Sequence, residues 1–289
     1  MSVYHTPVLL HESIQALAIR EDGVYVDATF GGGGHSREIL KRLGPEGRLI
    51  AFDKDRDALA NAPDDPRLTV VHNDFRFVHN FVKYYGYAAV DGILADLGVS
   101  SHQFDTGERG FSFRFENAPL DMRMNADAPL CAADIVNSYS GEDLDRIFRL
   151  YGEVEGSRRV AELVVSARER SPLKTTDDLG RALAPVLPKF LEHKYLAKIY
   201  QALRIEVNGE MTSLEGFMKG AVRSLGQGAR LAVITYHSLE DRIVKTAIRE
   251  YCQEGRLQRV NKKPILPSEE EISFNTRARS AKLRVARKR

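Results

Sequence analysis

The 289-residue sequence predicts an α/β chain: a doubly wound, mainly parallel sheet carrying an inserted all-helical domain. Three observations predict it. Gly23 to Asp53 reads as strand, glycine turn, helix, strand and terminal acid. Short apolar runs at 68–72, 90–95 and 231–234 each end in polar residues. Between about 131 and 206 the apolar spacing is helical throughout, and strand patterns return afterwards.

Taken in order, the chain opens with His5, His11 and an apolar spacing at Leu10, Ile14 and Leu17. This is a short amphipathic helix, of the kind that often lies across the open edge of a doubly wound sheet. His5 and His11 read as local packing or capping groups. Val24, Val26 and Ala28 form the first strand, and Gly31 to Gly34 allow a tight turn with bare backbone facing a ligand. Ser36 is placed to cap the next helix, whose Ile39, Leu40 and Leu43 share a face. The second strand, Leu49 to Phe52, ends in Asp53. A short helix over 54–66 stops at Pro63 and Pro66. The third strand, Leu68 to His72, delivers Asp74 and Phe75, an acid and an aromatic suited to an adenine's amine and face. A loop Asp and a core Phe explain that pattern equally well. Phe77, Phe81 and Tyr84 then share a helical face. The fourth strand, Val90 to Ala95, leads into Asp96-Leu97-Gly98-Val99-Ser100-Ser101-His102-Gln103, at the strand ends where open α/β sheets hold ligands.

From Asp105 to Met124, Arg and Phe alternate with Gly, as a surface for single-stranded nucleic acid would require; an ordered loop closed by its own packing is the alternative. In the helical stretch, Leu144, Ile147, Phe148 and Tyr151 share one face, as do Val160, Leu163, Val164 and Ala167. Ser140 and Thr176 are expected N-caps. Arg158, Arg159, Arg168, Arg170, Lys174, Lys189, Lys194 and Lys198 make substrate recognition the expected task of this domain, although a solvated helix face explains any one of them. A helix through Leu214, Phe217, Met218, Ala221 and Leu225 precedes a turn at Gly226 to Arg230 and a fifth strand, Leu231 to Ile234. That strand ends in Thr235-Tyr236-His237-Ser238, an aromatic, an imidazole and a hydroxyl fit to orient a base. Residues 277–289 carry seven basic side chains and no acid, which draws phosphate without regard to sequence. Alternation at Leu283 and Val285 also permits an edge strand, and a disordered solubilising tail is the third option.

The glycine turn narrows the cofactor. A dinucleotide turn needs G-x-G-x-x-G, and the frame from Gly31 reaches Ser36 in the third slot. What remains is similar to the acid-x-G-x-G-x-G turn of class I methyltransferases, read as Asp27-Ala-Thr29-Phe-Gly31-Gly-Gly33, with Thr29 in place of the first glycine. S-adenosylmethionine has no pyrophosphate to cradle; it needs close backbone approach and carboxylates for its amino-acid end and ribose diol, the latter a task for Asp53. From this stretch alone, a nicotinamide or flavin site and a purely structural loop stay open.

Bulk properties exclude other classes. Apolar content of 43% and charged content of 28% suit a globular chain rather than a disordered one. A net charge of +2 does not by itself announce nucleic-acid binding. Cys131 and Cys252 suggest neither disulfides nor a thiolate metal site, in keeping with a reducing compartment, and the eight histidines form no H-x-x-x-H pair, so no structural metal is expected. No signal sequence and no apolar run of 18 residues is present, so a cytoplasmic protein is expected.

With these residues in view, the chain closely resembles the bacterial S-adenosylmethionine-dependent methyltransferases that modify the N4 amine of a cytidine in 16S ribosomal RNA. The resemblance is carried, in order, by His5-Thr-Pro-Val-Leu-Leu10, Asp27-Ala-Thr-Phe-Gly-Gly-Gly-Gly-His35-Ser36, Asp53, Asp96-Leu-Gly-Val-Ser-Ser101, Gln103, Arg109-Gly-Phe-Ser-Phe113, Pro119-Leu-Asp-Met-Arg-Met124, Arg204-Ile-Glu-Val-Asn208, Tyr236-His-Ser-Leu-Glu-Asp-Arg242 and Arg277-Ala-Arg-Ser280. These span nearly the whole length. The resemblance implies a class I methyltransferase (Rossmann-like) sheet over 1–104 and 207–289, with an inserted helical substrate-recognition domain over 105–206. It implies cofactor contacts at Gly33, Gly34, His35, Asp53, Phe75, Asp96 and Gln103, with Phe77 and Phe81 as neighbouring alternatives to Phe75. Asp96, or the carbonyl after it, is expected to accept a proton from the amine, while Tyr236 and His237 hold the base. The expected partner is 16S ribosomal RNA within the small subunit, with no membrane and an open oligomeric state. A nicotinamide-dependent oxidoreductase and a non-catalytic RNA-binding factor are the rival readings.

Overall fold

The computed structural model describes residues 7–289. The expectation for His5 therefore lies outside the described residues, as does the start of the 5–10 motif. The chain divides into two compact units: residues 1–98 with 211–289, and residues 99–210. The sequence expectation put the helical insert at 105–206.

The first unit is built on seven strands: β1 (Val24–Asp27), β2 (Arg48–Asp53), β3 (Leu68–His72), β4 (Val90–Asp96), β5 (Leu225–Thr235), β6 (Leu257–Arg259) and β7 (Lys282–Lys288). Their order across the sheet is β3-β2-β1-β4-β5-β7-β6. β1 to β5 run parallel, and β7 runs antiparallel to both β5 and β6. Strand order turns back between β1 and β4, which pair directly (Val26 with Ile93, Asp27 with Leu94). That is the switch point where parallel α/β sheets open a ligand crevice.

Alternation along the strands separates two cores. Val26, Ile50, Phe52 and Ile93 pack with Phe217, Met218 and Ala221 of helix Glu210–Ser224 and with Val244 and Ile248 of helix Ser238–Gln253. Tyr25, Leu49, Leu94, Ala232 and Ile234 pack on the other face with Ile39 and Leu40 of helix Gly34–Leu40 and with Ile14 and Leu17 of helix Leu10–Leu17. Helices on both faces explain why the central strands are continuous apolar runs. The helix at 10–17 thus covers a face rather than the open edge, because its apolar stripe meets Leu94 and Ala232. Phe52 is fully buried, and truncating such a ring to Ala costs about 3–5 kcal/mol.

Other expectations shift locally. The helix over 54–66 is only Arg56–Leu59, capped by Asp55, whose side chain accepts from Asp57 N. β5 begins at Leu225, so the strand runs through Gly226 to Arg230, accommodated by a register shift opposite Val90 and Gly92. The basic tail is a strand inside the sheet, with the three-residue β6 outside it.

The second unit is helical: Ala132–Ser138, Gly141–Leu150, Ser157–Arg170, Thr176–Leu183 and Glu192–Asn208. Leu144, Ile147, Phe148, Val160, Val164 and Leu203 form its centre. Ser140 caps as expected, its Oγ accepting from Asp143 N at 3.0 Å. The next cap is Thr175 rather than Thr176. Thr175 Oγ1 accepts from Asp178 N while the Asp178 carboxylate accepts from Thr175 N, a reciprocal pair that the next residue does not make.

Candidate active site

Three acids end three adjacent parallel strands: Asp27 on β1, Asp53 on β2 and Asp96 on β4. Asp27 is fully buried; its Oδ2 accepts from Ser36 Oγ at 2.6 Å and its Oδ1 from Thr29 N at 3.2 Å. Ser36 is therefore not the cap of helix 34–40. Gly33 holds that position with φ of 74°, and Ser36 turns inward to Asp27. Asp53 receives the turn itself: Gly31 N donates to Oδ2 at 2.8 Å and Asp55 N to Oδ1 at 2.9 Å.

The turn leaves no room for side chains where it packs and leaves space where it faces outward. A Cβ on Gly33 would fall 2.6 Å from the Phe30 ring, and one on Gly34 would fall 2.1 Å from Pro7 Cγ. Gly31, with φ of 52°, has no atom within 4 Å of that point. Thr29 explains its own departure from glycine: its Oγ1 accepts from Asp96 N at 2.6 Å, tying the β1 turn to the end of β4. That hydroxyl was flagged by the broken glycine pattern, but its partner 67 residues away was not legible.

Asp96 carries the chemistry best placed for a proton. Tyr236 Oη, following β5, donates to its Oδ1 at 2.7 Å, and its Oδ2 lies 3.8 Å from His35 Nδ1. The Asp96 side chain keeps 22% of its surface open. Burial pushes its carboxyl up to about 7, against the Tyr236 hydrogen bond, and the charges of Asp27 and Glu240 add to the rise. Burial likewise pushes Asp27 up to about 7 and Asp53 up to about 6. Burial pulls His35 down to about 4, so its imidazole is neutral at pH 7 and does not balance these acids. Its Nε2 is buried without a partner among the described residues. No Lys or Arg pairs with Asp27, Asp53 or Asp96 among the described residues. The ends of β1, β2 and β4 thus gather desolvated carboxyls with hydrogen-bond donors and no counter-charge, an environment that favours a cation and hydroxyl donors.

Tyr236 and His237 are held differently. The hydroxyl of Tyr236 is committed to Asp96, and burial raises it well above the ordinary phenol range, so it is a donor and not a base. His237 caps helix 238–253: its Nδ1 accepts from Glu240 N at 3.4 Å, and its Nε2 lies 3.1 Å from Glu240 Oε1. Glu240 is buried, and its Oε2 accepts from the N–H of Tyr236 at 2.7 Å. It fixes the backbone after β5 and was not singled out from sequence; the Ser-Leu-Glu spacing after His237 is a capping-box signal that points to it.

The β3 end separates Asp74 from Phe75. Asp74 accepts from Ser213 Oγ at 2.7 Å and Arg76 N at 2.8 Å, and pairs with Lys54 Nζ at 2.9 Å. Burial pushes its carboxyl up, but Lys54 and these donors prevail and hold it below the usual range. That carboxylate has a cation, unlike the other three. Phe75 is half-buried, edge-on to Phe217 at 5.2 Å. Phe81 meets Phe52 at 5.5 Å in the core, and Phe77 lies under the Arg76 guanidinium at 4.8 Å.

In the second unit, Gln103 closes a capping box with Ser100: Ser100 N donates to its Oε1 at 3.1 Å, and Ser100 Oγ accepts from Gln103 N. Its role in cofactor binding remains the one implied by the resemblance. The 105–124 loop is closed by its own packing. Arg109 donates to Arg123 O and Met124 O, Arg123 forks onto Asp121, and Phe111 is buried. Of the helical cations, Arg168 donates to Val136 O and Tyr139 O, and Lys198 to Glu153 O. Arg158 and Arg159 pair with Glu162, while Arg170, Lys174, Lys189 and Lys194 are exposed. Arg204 and Asn208 are also architectural: Arg204 forks onto Glu210, and Asn208 bonds Met122 O and Met124 N.

A mixed seven-stranded sheet of order 3-2-1-4-5-7-6, with a glycine turn after β1 and acids ending β1, β2 and β4, defines a class I methyltransferase with a helical insertion. The uncompensated acids suit a sulfonium and an ammonium and would repel the pyrophosphate of a dinucleotide. The chain belongs to the MraW methylase family, whose model matches residues 2–289. It is 53% identical to ribosomal RNA small subunit methyltransferase H of Parabacteroides distasonis, over 99% of this chain and 98% of that protein. The enzyme of the same name from Flavobacterium johnsoniae is 52% identical over the same shares. Among solved structures, an rRNA methylase from Streptococcus thermophilus aligns over 100% of this chain and 99% of that one, at 11% identity and a TM-score of 0.45.

Proposed function

We propose that this protein transfers a methyl group from S-adenosylmethionine to the exocyclic N4 amine of a cytidine in 16S ribosomal RNA, within the cytoplasm. The observation that carries the reading is the set of strand-end acids without a cation, at the switch point of the sheet. The relatives, both named as methyltransferases of small-subunit ribosomal RNA, support the substrate.

S-adenosylmethionine supplies an electrophilic methyl on a sulfonium. Asp53 would accept from its ribose hydroxyls, Gly33, Gly34 and His35 would line its amino-acid end, and Phe75 would face its adenine. The cytidine is splayed from its stack so that N4 points at the methyl. Once bound, the cofactor would give its methyl to N4 and keep the bonding electron pair on sulfur, which would leave the amine with one proton too many. Asp96 takes it, with a carboxyl held near 7 and so matched to neutral pH. Tyr236 orients Asp96 by donating to Oδ1, and His237 with Glu240 sets the backbone that presents Tyr236. No nucleophilic thiol is called for: Cys131 is half-buried with its thiol pushed up by burial, and Cys252 is a half-buried free thiol.

The test is transfer of labelled methyl to unmodified small subunits and to naked 16S RNA, followed by nucleoside analysis. N4-methylcytidine is the expected product, and the better acceptor fixes the stage of assembly. Label in another nucleoside, or none with cofactor bound, overturns the assignment.

A further inference from the structure

A second charged feature lies between helix 238–253 and the outer strands. Helix 238–253 and the outer strands β6 and β7 enclose a recess of about 50 Å³, lined by Lys245, Arg259, Asn261, Lys262 and Arg284 over Ile248 and Val285. Its charge does not cancel. Arg284 is answered by Asp241, with Nε–Oδ1 at 2.7 Å and Nη2–Oδ2 at 3.0 Å. Asp241 also feels Lys282 and Lys245. Lys245, Arg259 and Lys262 are exposed, and none of them pairs with a carboxylate among the described residues.

The wall that carries two of them is fixed. Asn261 Oδ1 accepts from Val285 N at 2.9 Å, and its Nδ2 donates to Lys263 O. Val260 N donates to Val285 O at 3.0 Å, next to β6. The Arg284–Asp241 fork anchors the floor. The cations thus project from a pinned scaffold of two strands and a helix, and not from a mobile tail.

We infer that this recess binds a phosphate of the RNA backbone. A space of about 50 Å³ holds roughly four waters at the ~10–15 Å³ each requires, the scale of one phosphate and its shell and too small for a base. Three uncommitted cations supply the sequence-independent, salt-sensitive attraction a phosphodiester needs. The basic character of the C-terminal segment thereby gains a place: Arg284 forms the floor, while Lys288 is spent on Val222 O. The inference rests on the RNA reading above, and its test separates the two.

The experiment measures binding of single-stranded 16S RNA fragments against salt for the wild type and for the double variant Arg259→Gln, Lys262→Gln. A control double variant, Lys219→Gln with Arg223→Gln, changes equal charge on exposed positions of helix 210–224. Each single-strand phosphate contact contributes about 0.7 to the slope of log K against log salt. The recess variant should flatten that slope by about 0.7, the share of one phosphate, with S-adenosylmethionine affinity and melting temperature unchanged; the control should leave it. Inorganic phosphate, titrated against amide spectra, should shift Arg259, Asn261 and Lys262 in the wild type and not in the recess variant. Equal flattening in both variants, an unchanged slope in the recess variant, or phosphate shifts without a slope change each overturn the backbone site. A wild type that methylates RNA while the variant keeps its full slope leaves the reaction standing and removes the recess. A wild type that neither binds nor methylates RNA overturns the reading beneath it.

Discussion

Carboxylates in the helical unit and at the ends of β1, β2 and β4 are kept in opposite states. In the helical unit they are closed: Asp121 by Arg123, Asp178 by Arg181 and the Thr175 cap, and Glu210 by Arg204. Asp178 is held below the usual range by backbone donors, Lys174 N first. At the strand ends of the sheet unit, Asp27, Asp53 and Asp96 are desolvated and pushed upward, with hydrogen-bond donors but no cation. Burial overlaps between the two kinds, with Glu210 at 10% exposed and Asp96 at 22%, so burial alone does not distinguish architecture from chemistry. The presence or absence of a counter-charge does.

The sharpest way to break this contrast is to change one acid of each kind. Asp96→Asn keeps the shape and an acceptor for Tyr236 but cannot take the amine proton; kcat should fall by about 10²- to 10⁴-fold with the melting temperature held. Arg204→Met should do the reverse. It strands Glu210, whose side chain is 10% exposed, at a cost of about 3 kcal/mol in denaturant titration, with cofactor affinity unchanged. If the first variant unfolds, or the second loses activity at full stability, the division fails.

Asp53→Asn should weaken S-adenosylmethionine by about 10- to 100-fold in calorimetry, the scale of about 1.5–3 kcal/mol for hydrogen bonds to a charged group. Unchanged affinity would reject its place at the ribose. The smallest effect is on stability against pH. Asp27, Asp53 and Asp96 have folded values near 6 to 7, above those of free carboxyls. Their protonated forms favour the fold, so they contribute stability below about pH 4 that is lost as pH rises through 6 to 7. Melting of the cofactor-free protein should therefore decline across that window, and Asp27→Asn should flatten the decline.

The central strands were legible because both faces are covered, which makes 49–52 and 231–234 unbroken apolar runs. β6 was not, since Leu257–Arg259 is three residues with one apolar member. β7 was ambiguous because its buried Leu283 and Val285 alternate with charges that elsewhere mark a tail. Asp53 and Asp96 were legible as acids ending strands. Their environment was not: the Tyr236 bond to Asp96 spans 140 residues, and the Thr29 bond spans 67. Basic and aromatic residues at 105–124 left two readings open for the same reason: Arg109 is consumed by backbone carbonyls that no side-chain pattern announces, while Arg123 is held by Asp121 and Ala128 O.

The most direct test of the central claim is the single-turnover rate of methyl transfer against pH in the wild type and in Tyr236→Phe. The Tyr236 hydroxyl lowers the Asp96 carboxyl, so its loss must raise it. The wild-type rate should climb through about pH 7, where Asp96 loses its proton, and the variant's climb should move to higher pH with a similar plateau. An acid limb that stays in place when Tyr236 is changed would contradict Asp96 as the acceptor.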